Sequence, residues 1–320
     1  MTEFEEVTPS RWPRRLLSGV LVLAAFTFLG LEIARNMDEL RRFRWAFRPG
    51  TLFASLLALV GVFSWGILVW KAVLRRFGVE TDYLPLARAW FVANVSRYIP
   101  GMVWQFVSLA QLGGKMGIPA TTTVTSIFVQ MGFTLIAAVV VGVSLLPTGL
   151  AGNLAPIVAV LRWCAPLILL LIHPAFIRFL LRHTSRLTRR ETLAWNGSWL
   201  GGLWLLTLSI IAWLLFGVAL FLFLRSFTNI EISDLPAIAA INAFAFLAGY
   251  MAFFAPGGLG FKDAALTLLL AGIVPPPIAA SLAVAARLWN IAAEVIPALI
   301  LLPRRIRKPP PPHSSPPLSA

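Results

Sequence analysis

The sequence predicts an all-α, polytopic integral membrane protein, and three observations carry that prediction. Uncharged stretches of 22 residues between Arg48 and Lys71, 46 between Lys115 and Arg162, 33 between Glu191 and Arg225, 27 between Asp234 and Lys262, and 23 between Asp263 and Arg287 interrupt the chain. Each exceeds the ~18 to 20 apolar residues that cross a bilayer core. The chain is 58% hydrophobic and only 12% charged, with a mean hydropathy of +0.82, which excludes a soluble enzyme. The net charge of +14 comes from 23 Arg and 4 Lys that gather between the apolar runs, a membrane pattern and not a nucleic-acid footprint.

Taken in order, residues 1–13 form a short tail expected in the cytoplasm, and 14–303 a single transmembrane domain. The run from Leu16 to Leu31 follows Arg11, Arg14 and Arg15 and is closed by Glu32 and Arg35 without a small-residue cleavage site, so it reads as a retained first span over 16–35. Further spans are expected at 51–70, 121–146, 156–173, 199–224, 236–255 and 278–302. Cys164 is the only cysteine, so no intramolecular disulfide or Cys-rich metal site is available. Phe176 to Leu193 sets apolar residues against five arginines, as an interfacial amphipathic helix or a solvated basic loop would. From 304 the tail is basic and then Pro-rich, with six prolines and three serines between Pro309 and Ala320, a composition that cannot build a core.

Two segments depart from simple spans. Leu84 to Gly114 is broken at Pro100-Gly101, and Ala255 to Gly272 opens on Ala-Pro-Gly-Gly-Leu-Gly and ends at Pro275. Proline removes an amide donor and glycine frees the backbone, so both are helix breaks at membrane depth, where irregular backbone must be buried in protein or line a wet cavity. With both termini placed inside by the basic clusters at 71–76, 178–190 and 304–308, the short helix after Pro256 is expected to complete a crossing. That gives about seven or eight crossings, with broken or re-entrant helices in two related halves. Arg41, Arg42, Arg44 and Arg48 fall on the opposite side and run against this scheme.

Charge inside an apolar protein is costly, so ionisable groups beside the breaks are the functional candidates. Around the first break these are Arg88 and Arg97, with Asn94, Ser96, Tyr98 and Gln105 beside the Pro100-Gly101 break. Around the second they are Gly257, Gly258, Gly260, Lys262 and Asp263, joined by Arg287, Asn290 and Glu294 on one face of the last span. Arg97, Lys262 and Arg287, with glycine-freed amides, suit a wet anionic site. An architectural role is the competing reading: Arg287 and Glu294 pairing with each other, with Lys262 or with Asp263, and Arg97 snorkelling to the interface.

Asn94-Val-Ser-Arg-Tyr-Ile-Pro-Gly-Met-Val-Trp104, Ala255-Pro-Gly-Gly-Leu-Gly-Phe-Lys-Asp-Ala-Ala265 and Arg287-Leu-Trp-Asn-Ile-Ala-Ala-Glu294 resemble the lysylphosphatidylglycerol synthase transmembrane family, also called the flippase-like domain family. The resemblance runs over roughly 15–303 and implies a bacterial inner-membrane protein that moves an anionic or zwitterionic phospholipid, or a lipid-linked headgroup, between leaflets. Members often carry an acid after Gly-Gly-Leu-Gly-x-x. Here Lys262 precedes Asp263, which is matched to it. No aminoacyl-transferase domain follows the last span, so a stand-alone member without synthase chemistry is expected.

The alternatives are a membrane-embedded lipid-modifying transferase, for which only Asp263 and Glu294 are placed to act as a base, and an accessory subunit of a lipid or glycan biosynthetic enzyme. No nucleotide-binding motif is present, and no catalytic residue, cofactor, metal or nucleic acid is expected. Membrane lipids are the expected partners, with a separate lipid-synthesising enzyme and a second copy of the chain as further candidates.

Overall fold

A computed structural model describes residues 37–98, 104–151, 155–188, 193–251 and 260–302. The first expected span, both terminal tails and both proline breaks lie outside them.

Helix α1 (Met37–Arg42) is a short lead-in. Helix α2 (Pro49–Arg76) starts on a proline, whose missing amide is harmless in a first turn, and ends on Arg75 and Arg76. Helices α3 (Tyr83–Val95) and α4 (Trp104–Lys115) flank the first break, and a 3-10 turn at Ser96–Tyr98 closes α3. Helix α5 (Ala120–Leu145) is followed by the single turn α6 (Thr148–Ala151). Helix α7 (Ala155–Ile168) continues as a 3-10 stretch, Leu169–Ile172, a combined length of about 29 Å at the usual rises per residue. The remaining helices are α8 (Pro174–Thr188), α9 (Trp199–Phe227), α10 (Leu235–Met251), α11 (Phe261–Leu270) and α12 (Pro276–Leu301). All described regular structure is helical, and five helices are long and apolar enough to cross a membrane: α2, α5, α9, α10 with its lead-in turn, and α12.

Lipid is as apolar as leucine, so these helices need close packing and internal hydrogen bonds to hold together. One cluster joins Leu59, Phe223, Ile238, Leu266, Leu282 and Trp289, from α2, α9, α10, α11 and α12. Polar stitches cross between helices: Trp65 donates to the Leu208 carbonyl at 2.9 Å, Gln130 to the Gly66 carbonyl at 2.8 Å, and Trp213 to the Thr134 carbonyl at 2.9 Å. Each of these bonds satisfies a side-chain donor with a carbonyl of the neighbouring helix.

The two ends of the bundle differ. At one end the Asn196 amide donates to the Arg76 carbonyl at 2.9 Å, the Phe77 and Trp195 rings meet, and Ile118, Leu86 and Ala298 pack in one cluster. That end therefore collects the end of α2, the open ends of α3 and α4, and the end of α12. Arg75, Arg76 and Lys115 sit there. At the other end the Ala46 and Arg48 amides donate to Phe227 and Ser226 carbonyls, and residues 228–234 meet 273–275.

These contacts fix how the described helices flanking the two breaks are arranged. Helices α3 and α4 form a hairpin opening at the basic end. Helices α10 and α11 form a second hairpin opening at the opposite end, because the lead-in to α10 and the exit from α11 lie together there. The expectation that the short helix after Pro256 completes a crossing is thus corrected. Ten residues of α-helix reach only about 15 Å, half a hydrocarbon core, and α11 turns back instead. Arg48 also explains part of the basic cluster that defied the orientation scheme. Its guanidinium donates to the Arg225 carbonyl at 2.6 Å, the Thr228 carbonyl at 3.1 Å and the Asn229 side chain, capping the carbonyl end of α9.

The amphipathic segment is helical as α8, with Ile177 buried against the bundle and Phe179 and Leu180 exposed beside Arg182.

Candidate functional site

Helix α12 organises the site. Arg287, Asn290 and Glu294 repeat at i, i+3 and i+7, so they share a stripe along one side. Their partners come from the two hairpins, one from each. Arg97, in the 3-10 turn at the end of α3, forms an ion pair with Glu294, whose side chain is 1% exposed. Arg287 forms an ion pair with Asp263, in the first turn of α11. The last helix thus presents an anion to one hairpin and a cation to the other, two turns apart.

Local chemistry places each group. Gly260 adopts φ +85°, a left-handed backbone that suits glycine, and its amide donates to Asp263 Oδ2 at 3.2 Å. The Asp263 carboxylate therefore caps its own helix while it holds Arg287. Thr267 donates to the Asp263 carbonyl at 2.9 Å. Gly249 lets α10 and α11 approach so closely that a Cβ there would stand 2.8 Å from Lys262 Cβ. In the first hairpin Gln105 Nε2 donates to Asn94 Oδ1 at 2.6 Å and Ser108 to Ser96 at 3.0 Å, a polar ladder between α3 and α4.

Between the hairpins and α12 lies a cavity of about 60 Å³, lined by Arg97, Asn242, Lys262, Asp263, Arg287, Trp289 and Asn290 among others. A single ordered water needs roughly 10–15 Å³, so several fit. Ligand pockets usually exceed about 300 Å³, so a whole lipid headgroup does not fit in this conformation. Lys262 places its ammonium 5.5 Å from the centre of the Phe216 ring, with no carboxylate in ion-pair reach among the described residues. Asn290 donates to the Ala286 carbonyl of its own helix at 2.8 Å and adds only its remaining capacity to the cavity.

Of the residues singled out from the sequence, the structure brings together Arg97, Lys262, Asp263, Arg287, Asn290 and Glu294, with Asn94, Gln105 and Gly260 supporting them. Pro100, Gly101, Gly257 and Gly258 lie outside the described residues, as does the side chain of Tyr98. Arg88 is exposed on α3 and does not line the cavity. Within the described residues Arg287 and Glu294 do not pair with each other. Each reaches to a different hairpin. Two cavity residues escape sequence reasoning. Asn242 and Trp289 are buried, and among the described residues Asn242 Nδ2 and Trp289 Nε1 have no hydrogen-bond partner. An asparagine inside the apolar α10 was a legible signal for the first. One tryptophan among twelve gave none for the second.

No curated protein and no solved structure matches the chain. A family model described as the lysylphosphatidylglycerol synthase TM region matches residues 15–298.

Proposed function

The chain belongs to the lysylphosphatidylglycerol synthase transmembrane family, a membrane-lipid family, and from that premise we propose that it moves a phospholipid or lipid-linked headgroup between the leaflets of a bacterial inner membrane. The observation that carries this reading is the pair of opposed hairpins, each bound by one ion pair to α12 around a polar cavity. Interrupted helices entering from opposite ends and meeting at a charged centre are the arrangement of alternating-access sites. In this reading the basic end faces the cytoplasm.

The cavity is closed to a headgroup, so transport requires one hairpin at a time to part from α12. An arginine that leaves its carboxylate takes up lipid phosphate in exchange, which keeps the charge satisfied as the path opens. The acyl chains stay in lipid while the headgroup follows the polar stripe. A transferase is less well supported, because Asp263, which lines the cavity, and Glu294, which pairs with the cavity residue Arg97, are each engaged by an arginine and poorly placed to take a proton from a substrate.

The test is translocation of headgroup-labelled phospholipids and polyprenyl phosphates in proteoliposomes. Rates above those of protein-free vesicles are expected, and Arg287→Ala and Glu294→Ala should lower them more than they lower thermal stability. Rates equal to protein-free vesicles for every lipid would remove the proposal.

A further inference from the structure

Helix α8 (Pro174–Thr188) does not line the central cavity, yet its sides carry three kinds of chemistry. It starts where the 3-10 extension of α7 ends. The His173 carbonyl accepts from the Phe176 amide at 2.9 Å and the Ile177 amide at 3.1 Å, and Pro174 needs no amide partner in a first turn. At about 3.6 residues per turn, Ile177 and Leu181 share one side, Arg178 and Arg182 the next, and Phe176 and Leu180 the side opposite the arginines. Ile177 is buried and Leu181 half-buried against the cluster that includes Phe77, Trp195 and Trp199. That packing holds α8 at the basic end of the bundle, where Phe77 follows α2 and meets Trp195 just before α9.

The rest of the helix is turned outward. Phe179 is 61% exposed and stacks on His183, with ring centres 6.1 Å apart, on the side facing away from the bundle. Leu180 is 47% exposed, and Leu170 and Leu171, just before the helix, are exposed as well, so the apolar flank of α8 continues an exposed apolar surface. Bulk water gives a phenylalanine and a leucine held out this way nothing to pack on, whereas the boundary between acyl chains and headgroups accommodates both them and the arginines.

The charge on the other flank is of one sign. Arg178 and Arg182 are exposed, and neither is in an ion pair among the described residues. From Pro174 to Arg190 the sequence carries five arginines and no acid, so this stretch supplies no anion of its own. Arginine matches a phosphate with two parallel hydrogen bonds. An acidic protein surface answers the arginines alone, while a leaflet of anionic phospholipid answers both flanks at once.

We propose that α8 lies in the lipid–water interface at the basic end and binds anionic phospholipid, with Arg178 and Arg182 on the headgroups and Phe176 and Leu180 on the acyl chains. Of the two readings the sequence allows for this segment, an interfacial helix and a solvated basic loop, the exposed Phe179 and Leu180 favour the first. The assignment names no substrate and stands apart from the transport reading.

The experiment uses the full chain with Cys164→Ser, or Cys164→Ala should the serine protein not fold, and a single cysteine at Leu180→Cys carrying a bimane fluorophore. The bilayers mix phosphatidylglycerol with phosphatidylcholine, one of the two brominated on its acyl chains, so quenching compares how often each lipid sits beside the label. Phosphatidylglycerol should be favoured by about fivefold at low salt, the effect of one arginine near an anionic surface, and less at high salt. Arg178→Gln with Arg182→Gln should bring the two lipids to near equality, and Arg178→Lys with Arg182→Lys should keep most of the preference. A label at Leu214→Cys, exposed on α9 away from its ends, should be quenched equally by both.

These positions are exposed, so thermal unfolding should stay close to wild type; if the label at Leu180→Cys destabilises the protein, Phe179→Cys replaces it. The proposal is overturned by no quenching from either lipid, by equal quenching from both with the arginines intact, or by a preference that survives the double Gln substitution. Absent quenching together with a cross-linked dimer makes a second copy of the chain the occupant instead.

Discussion

The two hairpins solve one problem with opposite chemistry. The α3–α4 hairpin carries polar side chains between its arms, Asn94 to Gln105 and Ser96 to Ser108, and offers a cation to α12. The α10–α11 hairpin is joined by close backbone approach at Gly249 and offers an anion. Reversed polarity specifies the fold. Arg97 cannot take the place of Asp263 on Arg287 without setting two cations together, so each hairpin has one berth on α12. The difference also extends to solvent. Arg97 is 33% exposed while its partner Glu294 is 1% exposed, and the other pair is 15% and 6% exposed.

That asymmetry sets the order of expected effects. Asp263→Ala should cost most, about 3–5 kcal/mol, because it strands Arg287 in a mostly buried site and removes the cap on the Gly260 amide. Arg97→Ala should fall in the same range by stranding the buried Glu294, whereas Glu294→Gln should cost only about 1–2 kcal/mol, since Arg97 reaches the exterior and keeps a hydrogen-bond partner. Denaturant or thermal unfolding in detergent measures all three. Equal losses from Arg97→Ala and Glu294→Gln would erase the contrast between the partners. Exchanging the charges, Arg97→Glu with Glu294→Arg, should recover about 0.5–3 kcal/mol relative to the sum of the single changes, read as a double-mutant cycle. Gly249→Val should cost about 1–3 kcal/mol by forcing α10 from α11, with no counterpart in the first hairpin. Ser108→Ala should have the smallest effect, about 0.5–1 kcal/mol, through the loss of one partly exposed bond to Ser96.

What the sequence made legible follows from what hydrophobicity measures. Uncharged runs of more than twenty residues located α2, α5 and α9 within a few positions, because crossing apolar lipid imposes a length and little else. The cost of a buried charge likewise drew attention to Arg97, Lys262, Asp263, Arg287 and Glu294. Cost alone does not name a partner: Arg287 shares a helix face with Asn290 and Glu294, three and seven residues on, and only the return of α11 to its own side brings Asp263 to it. Whether a ten-residue helix crosses or doubles back is a tertiary matter that composition leaves open. Trp289 stayed hidden because one tryptophan among twelve carries no mark of its surroundings, whereas Asn242 was legible as a polar residue in an apolar helix.

Both ion pairs converge on α12, and synthesis reaches that helix last among the described elements. Until the ribosome delivers Pro276 to Leu301, Arg97 lacks Glu294 and Asp263 lacks Arg287, and both hairpins lack their contacts with α12. Completion of the polypeptide is thus chemically recorded inside the protein, because a chain cut short before Pro276 has neither of the ion pairs that tie the hairpins to α12.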